Sequence, residues 1–269
     1  MGRPLWSEGL WLSVGGGSVR GMTNKSNSPK AVDGVALRGA IESFISFHNS
    51  SGSINVGRKK VERLYVLHGM VSHTIEAADG ALQLIDGNHA HMAKALARIS
   101  FEHAVIAQWT HLHPDGVQSL QEKVSISYKN YYEEVNRLIK MPEEIQAAFE
   151  QMVFPDSAAV DLRKFEKTCN AFRDTEWFHT TYRILSGAVH PSNSTMKEYF
   201  QDNPTDPNIP ILKTKVSIQD TTPILFTLAL SCALAVGVYE DIRRSKPFKK
   251  KIREIASSVE LPTMLTLRS

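Results

Sequence analysis

The sequence predicts an all-α protein, a mostly antiparallel multi-helix bundle of six to eight helices. Three observations carry that prediction. From Asp33 onward, apolar residues recur at intervals of three and four, the period that lines one face of a helix. Only one short run, ILKTKVSI at 211–218, reads as β-like, with room for a small hairpin. Residues 221–239 are uncharged and largely apolar, the pattern of a central helix that amphipathic neighbours need as a packing partner.

The elements follow in order. Asp33 is placed to cap a helix whose face carries Val35, Leu37, Ile41, Phe44 and Ile45. A second helix, roughly 57–86, sets Val61, Leu64, Tyr65, Val71 and Ile75 on its face, and a third, roughly 89–112, carries Met92, Leu96, Ile99, Val105, Ile106 and Trp109. Pro114-Asp115-Gly116 then supplies a turn. Further helices are expected at 117–140, 142–153, 160–174 and 176–189, with Pro142 suited to a first helical turn. Pro204, Pro207 and Pro210 break the rhythm before the β-like run. Residues 1–32 hold a Gly triplet and a Ser/Asn/Pro stretch without a sustained period, and are read as a disordered extension. The division expected is therefore an extension at 1–32, a helical domain at 33–245 and a basic helix or tail at 246–269.

Composition narrows the class. A chain of 269 residues that is 42% hydrophobic and 22% charged is an ordinary globular protein, which excludes collagen, wholesale disorder and a polytopic membrane protein. Cys169 and Cys232 cannot form a disulfide scaffold, so a reducing, cytoplasmic setting is the default. Glu8 and Gly9 interrupt the only candidate apolar region of a secretory signal, and Trp6 stands where an N-myristoylation signal needs Ser or Thr; neither export nor lipidation is predicted. Met22, after the Gly-rich run, is a candidate biological start. The 19-residue segment 221–239 also meets the length of a membrane span, and the basic residues after it resemble a cytoplasmic flank; association with the inner membrane is the alternative location.

The net charge of +3 hides an uneven distribution. Arg243, Arg244, Lys246, Lys249, Lys250, Lys251 and Arg253 form a stretch without an acid, leaving the rest of the chain mildly negative. Such a patch attracts an anionic partner such as RNA, although a solvated helix end has the same composition.

No cofactor and no metal are predicted. Residues two apart on a helix diverge, so the pairs His89/His91 and His111/His113 suit helix ends better than a metal face. Glu176 and His179 make a single Glu-x-x-His, where di-iron bundles use two. There is no Gly-rich phosphate loop in a strand–helix context and no nucleophile elbow.

Two segments stand out. In ARISFEHAVIAQW, Arg98 and Glu102 share a face on an otherwise largely apolar helix. That spacing makes either a structural i,i+4 pair or a guanidinium held for another partner. In TTYRILSGAVHPSNS, Tyr182, Arg183, Ser186 and His190 lie on a helix expected to end just before Pro191. Arg183 and His190, seven apart, are about 20° from alignment, and the helix C-terminus favours a protonated imidazole, a setting suited to a general acid. A capping histidine beside a surface arginine explains the same residues without function.

The R-x-x-x-E helix (Arg98, Glu102) together with Y-x-x-L-S-x-x-x-H-P-S (Tyr182 through Ser192) resembles a large bacterial family of all-helical proteins of unknown function, over roughly residues 55–245. A looser resemblance is to the HEPN superfamily, helical domains that include metal-independent RNases of toxin and phage-defence systems. Their Arg-x(4–6)-His signature is matched by Arg183 and His190, with Ile184 where a polar residue is common. That resemblance implies a metal-independent endoribonuclease in which His190 moves a proton and Arg183 holds the scissile phosphate. Arg98, oriented by Glu102, would be a second phosphate contact, with Tyr182 or Ser186 adding a hydrogen bond. The competing expectation is a non-enzymatic domain whose Arg/Glu/Ser/His cleft holds an anionic ligand or a protein partner, a second copy of the chain included.

Overall fold

A computed structural model describes residues 33–268 except 51, 53, 156–159, 207 and 217, and its fold is an all-α bundle. The extension expected at 1–32, with the candidate start Met22, lies outside the described residues.

Helix α1 (Gly34–Ser50) is capped by Asp33, whose Oδ1 accepts the Val35 amide at 2.9 Å. Its buried face is Leu37, Ala40, Ile41, Phe44 and Phe47. Val35 belongs to the opposite side and is 79% exposed, because it stands about 120° from Ile41 around the helix.

A short 3₁₀ turn (Arg58–Lys60) leads into α2 (Val61–Asp86), which pairs with α3 (Ala90–Leu112). The link between them is a tight left-handed turn. Asn88 adopts a φ of 58°, and the His89 amide reaches back to the Leu84 carbonyl at 2.7 Å. The two helices approach closely because their contact faces are small: Ala77, Ala78 and Ala81 on α2, and Ala93, Ala97 and Ala104 on α3. Ser100 donates across the gap to the Thr74 carbonyl at 3.0 Å.

The turn at Pro114-Asp115-Gly116 forms as expected. A side chain at Gly116 would overlap the Thr110 carbonyl oxygen and lie 2.8 Å from its carbon, so only glycine fits there. Helix α4 (Gly116–Ile139) then buries Ser119 and Leu120 near its start, and farther along its Tyr132 ring stacks at 3.6 Å on Phe149 of α5 (Glu143–Glu150). Val124, Tyr131 and Leu138 remain exposed on α4.

The helix expected at 160–174 divides into α6 (Val160–Arg163) and α7 (Phe165–Asn170), because Lys164 takes an extended conformation. Helix α8 (Glu176–Ser186) follows, and Ser192 then caps α9 (Asn193–Glu198) by accepting the Thr195 amide at 3.1 Å. The hairpin expected within 211–218 is a different pairing. Strand β2 (Ile211–Leu212) joins β1 (Phe200–Gln201) antiparallel, with Phe200 opposite Leu212 and Gln201 opposite Ile211.

Helix α10 (Thr222–Ile242) is the centre of the bundle, in contact with α1, α2, α3 and α11 (Lys249–Ser258). From Ile224 to Ile242 every residue except Phe226 and Asp241 is buried. It is long and apolar enough to cross a membrane, but its apolar surface is already covered by protein, as in a core helix.

Residues 259–268 then run back across the bundle. Gln108, buried on α3, donates to the carbonyls of Leu234 and Thr263 at 2.8 and 3.0 Å and accepts the Leu265 amide at 3.0 Å. Gly237 on α10 leaves room for this crossing. Farther on, Arg173 donates its amide to Thr266 and Arg268 donates its amide to Ala171, and Phe172 bridges Leu267. The residues after 245 thus share the core of the helices before them.

Candidate functional site

The two segments singled out above meet on one side of the bundle, where α3 faces α8. Arg98 and Tyr182, 84 positions apart in sequence, are in contact. The guanidinium carbon lies 4.7 Å from the centre of the Tyr182 ring, and Nη2 donates to the phenol oxygen at 2.5 Å. Phe165 supports the ring from α7 at a centroid distance of 4.5 Å. Glu102 stands one turn along α3 from Arg98, with 3.6 Å between Oε2 and Nη2. Arg98 is therefore held by Tyr182 through a cation–π contact and a charge-assisted hydrogen bond, and by Glu102 through an ion pair without a direct hydrogen bond.

The hold is incomplete. Arg98 Nε is shielded from solvent and has no hydrogen-bond partner, although its side chain as a whole is 18% exposed. A guanidinium offers five N–H donors, and this arrangement leaves part of that fork for an added acceptor.

Lys123 on α4 extends the cluster. Burial lowers its pKa, and the nearby Glu102 carboxylate opposes that shift. Burial also pushes the Cys169 thiol up to about 12, with the Glu102 charge acting in the same direction. Glu102 thus acts on both Arg98 and Lys123, and Glu166 is a second carboxylate acting on Cys169. Among the described residues, no group of three or more His, Cys, Asp and Glu is arranged to hold a metal.

The other expected site residues lie apart from this node or are already engaged. Ser186 donates its hydroxyl to the Tyr182 carbonyl at 2.7 Å, so the group is bound to its own helix. The α8 helix stops at Ser186 rather than just before Pro191, and His190 follows in a helical turn whose amide bonds the Ser186 carbonyl at 3.1 Å. Arg183 and His190 are both exposed, and their side chains make no hydrogen bond or ion pair with the described residues.

The basic stretch divides in two. Arg244, Lys249, Lys250, Lys251 and Arg253 are exposed, the last four on the outer face of α11, whose inner face buries Ile252 and Ala256. Arg243 does not belong to that surface. It is 5% exposed, enclosed by the rings of Phe47, Tyr239 and Phe248 at 5.5 to 5.8 Å, and faces Glu240 at 3.5 Å. The amphipathic period of α11 begins only after Phe248, so proximity in sequence placed Arg243 with charges from which the fold separates it.

Sequence reasoning missed Lys94, His91 and Glu198. His91, Lys94, Arg98 and Glu102 span about 80° of the α3 circumference over about 16 Å, a single polar strip. The recurrence of polar residues at three and four on an otherwise apolar helix was the available signal. Glu198 on α9 accepts from Lys94 at 2.8 Å and faces His91 at 2.6 Å.

Comparison with known proteins adds the family. No curated protein and no solved structure matches the chain. Residues 64–208, more than half of the 269, match the model of a family of unknown function, DUF5677, and that span holds the whole polar strip with Tyr182, Arg183, His190 and Glu198. The chain belongs to the DUF5677 family.

Proposed function

We propose that this protein is a helical binding domain whose Arg98 node takes an anionic group, from a small ligand or a protein segment, in a cytoplasmic setting. The observation that carries this reading is the partly satisfied guanidinium: Arg98 is fixed by Tyr182 and Glu102 and still has an unpartnered Nε. A residue needed only for packing gains nothing from a buried, unpaired donor, which costs about 1–3 kcal/mol. Burial of α10 supports the cytoplasmic setting over membrane association, since inserting that helix in lipid would strip it of its partners.

The test is an NMR titration of the full chain with inorganic phosphate, following the Arg98 Nε–H signal. Saturable movement of that signal, absent in Arg98→Lys, is the expected result. A signal that does not move, or a response that survives Arg98→Lys, overturns the reading.

A second reading is the metal-independent endoribonuclease implied by the HEPN resemblance. It is favoured by the exposed Arg183 and His190, whose side chains have no partners among the described residues, and by the basic outer face of α11. In this reading His190 moves the proton and Arg183 holds the phosphate. RNA left intact by the purified protein in EDTA, or cleavage that persists in His190→Ala, removes it.

A further inference from the structure

The α4 helix turns its apolar face away from its own bundle. Counted at about 100° per residue, Val124, Tyr128, Tyr131, Val135 and Leu138 fall within an arc of about 80° and run for about 21 Å along the helix axis. Their spacing, alternately four and three, is the heptad period of a helix seam. Val124, Tyr128, Tyr131 and Leu138 are 51–74% exposed. The polar residues Glu122, Ser125, Lys129 and Asn136, about 100° or more from Val124 around the helix, are by contrast half-buried. Of the 24 residues of α4, only Gly116, Ser119, Leu120 and Tyr132 are buried, the first three within two turns of its start. Folding of the chain therefore leaves uncovered the side of α4 that its sequence makes apolar.

The area, charge and period of this face fit a second copy of itself. A tyrosine side chain carries about 150–250 Å² and an aliphatic one less, so the exposed parts of the stripe, with Ile139 at its end, amount to roughly 600 Å². That is the upper end of what a monomer ordinarily shows. Two copies face to face bury about 1,200 Å², which enters the range of specific, stable interfaces. The stripe holds no charged residue, so apposing it to itself sets no ion against a like ion. In the antiparallel register that pairs Tyr128 with Tyr131 of the second copy, Val124 meets its Val135 and Leu138 covers its Gln121. Glu134, at the edge of the seam, falls beside Ser127 of the second copy rather than beside another acid. The bundle packs on the first turns of α4, so this direction also sets the two bundles at opposite ends of the helix pair.

From these features we propose that the exposed face of α4 is a homodimer interface. The two helices pair antiparallel about a two-fold axis that passes between Lys129 and Asn130. This interface and the Arg98 node stand on separate observations, and neither requires the other.

The experiment is sedimentation velocity of the purified full chain from about 1 to about 200 μM, a range set by the weaker interfaces of this size. The mass should rise from the 30.0 kDa of one chain to twice that value. Tyr131→Glu and Leu138→Glu, both at exposed positions, should each weaken the dimer by about tenfold or more, because a two-fold interface buries every introduced charge twice. Val35→Glu, on the exposed side of α1, should leave the dimer within about twofold, the ordinary effect of a charge outside an interface. Mixing Val124→Cys with Val135→Cys under oxidation should join the two variants to each other, while neither joins to itself. A chain that stays monomeric throughout, whether residues 1–32 or a different protein covers the face, overturns the proposal. So does a dimer that withstands both glutamate substitutions, one that Val35→Glu weakens equally, or a disulfide that joins either cysteine variant only to itself.

Discussion

Gly237→Ala reverses the usual sign of a glycine substitution in a helix. At an exposed helical position, replacing Gly by Ala stabilises by about 1 kcal/mol. At Gly237 the added Cβ would overlap the Thr263 carbonyl oxygen and come within 2.9 Å of its carbon. Either α10 shifts, at the overpacking cost of about 1–3 kcal/mol, or the segment at Thr263 lifts away. Lifting removes the Gln108 bonds to Thr263 and Leu265 and leaves an amide N–H and an amide oxygen buried without partners, about 1–3 kcal/mol each. After subtracting the propensity gain of about 1 kcal/mol, the loss in equilibrium urea denaturation is about 0–2 kcal/mol if α10 shifts and about 1–5 kcal/mol if the segment lifts. Faster hydrogen exchange at the Leu265 amide should accompany the loss. Gly39→Ala is the control, since nothing lies within 4 Å of a Cβ at that exposed position in α1, and it should stabilise by up to ~1 kcal/mol. A Gly237→Ala protein stabilised as much as Gly39→Ala would refute the close crossing of residues 259–268 over α10.

Acid should weaken the fold in two steps. Burial lowers the pKa of His48, helped by His68 and Arg243, and lowers that of His111 despite its bond to Asp241. A base whose folded pKa lies below its unfolded value takes up protons more readily when unfolded, so stability falls as pH drops through the ordinary histidine range near 6.5. The urea midpoint should therefore decrease from pH 7.5 to 5.5, and the decrease should shrink in His48→Gln/His111→Gln; an unchanged slope rejects the assignment. Burial opposes ionisation of Asp241, but hydrogen bonds from Lys246 and His111 outweigh it and hold the carboxyl below its usual value. Its contribution is present above about pH 4 and lost below, so Asp241→Asn should flatten the midpoint's fall in that acid range. Burial raises both thiols, so Cys169 and Cys232 should resist a disulfide reagent at pH 8 until urea unfolds the chain, and modification of the native protein would contradict their burial. Tyr182→Phe should preserve the ring contact with Arg98 but remove its 2.5 Å partner, and the Arg98 side-chain signals should broaden by NMR; an unchanged spectrum would show that Glu102 alone fixes the guanidinium.

Local features of this protein were legible where one element decides them. The central role of α10 followed from its uncharged composition, and the shared face of Arg98 and Glu102 from a spacing of four. What escaped depends on contacts distant in sequence. PTMLTLRS has a proline and no regular period, so nothing local shows that Gln108, 155 positions before Thr263, holds it. His91 resembled a surface histidine at a helix end because its partner Glu198 lies on a helix that begins where Pro191 and the serines after His190 signal only a stop. Arg243 shows the converse error, since a charge run is read as one surface until the helix phase separates its members.

The path of residues 259–268 also has a consequence for synthesis. At ~5–20 residues per second, a ribosome that has just completed α10 needs on the order of one to five seconds more to add the residues through 268. During that interval the most apolar helix of the chain exists without the partners that cover it near Gly237. The packing of α10 near Gly237 is therefore completed late in the biogenesis of the chain.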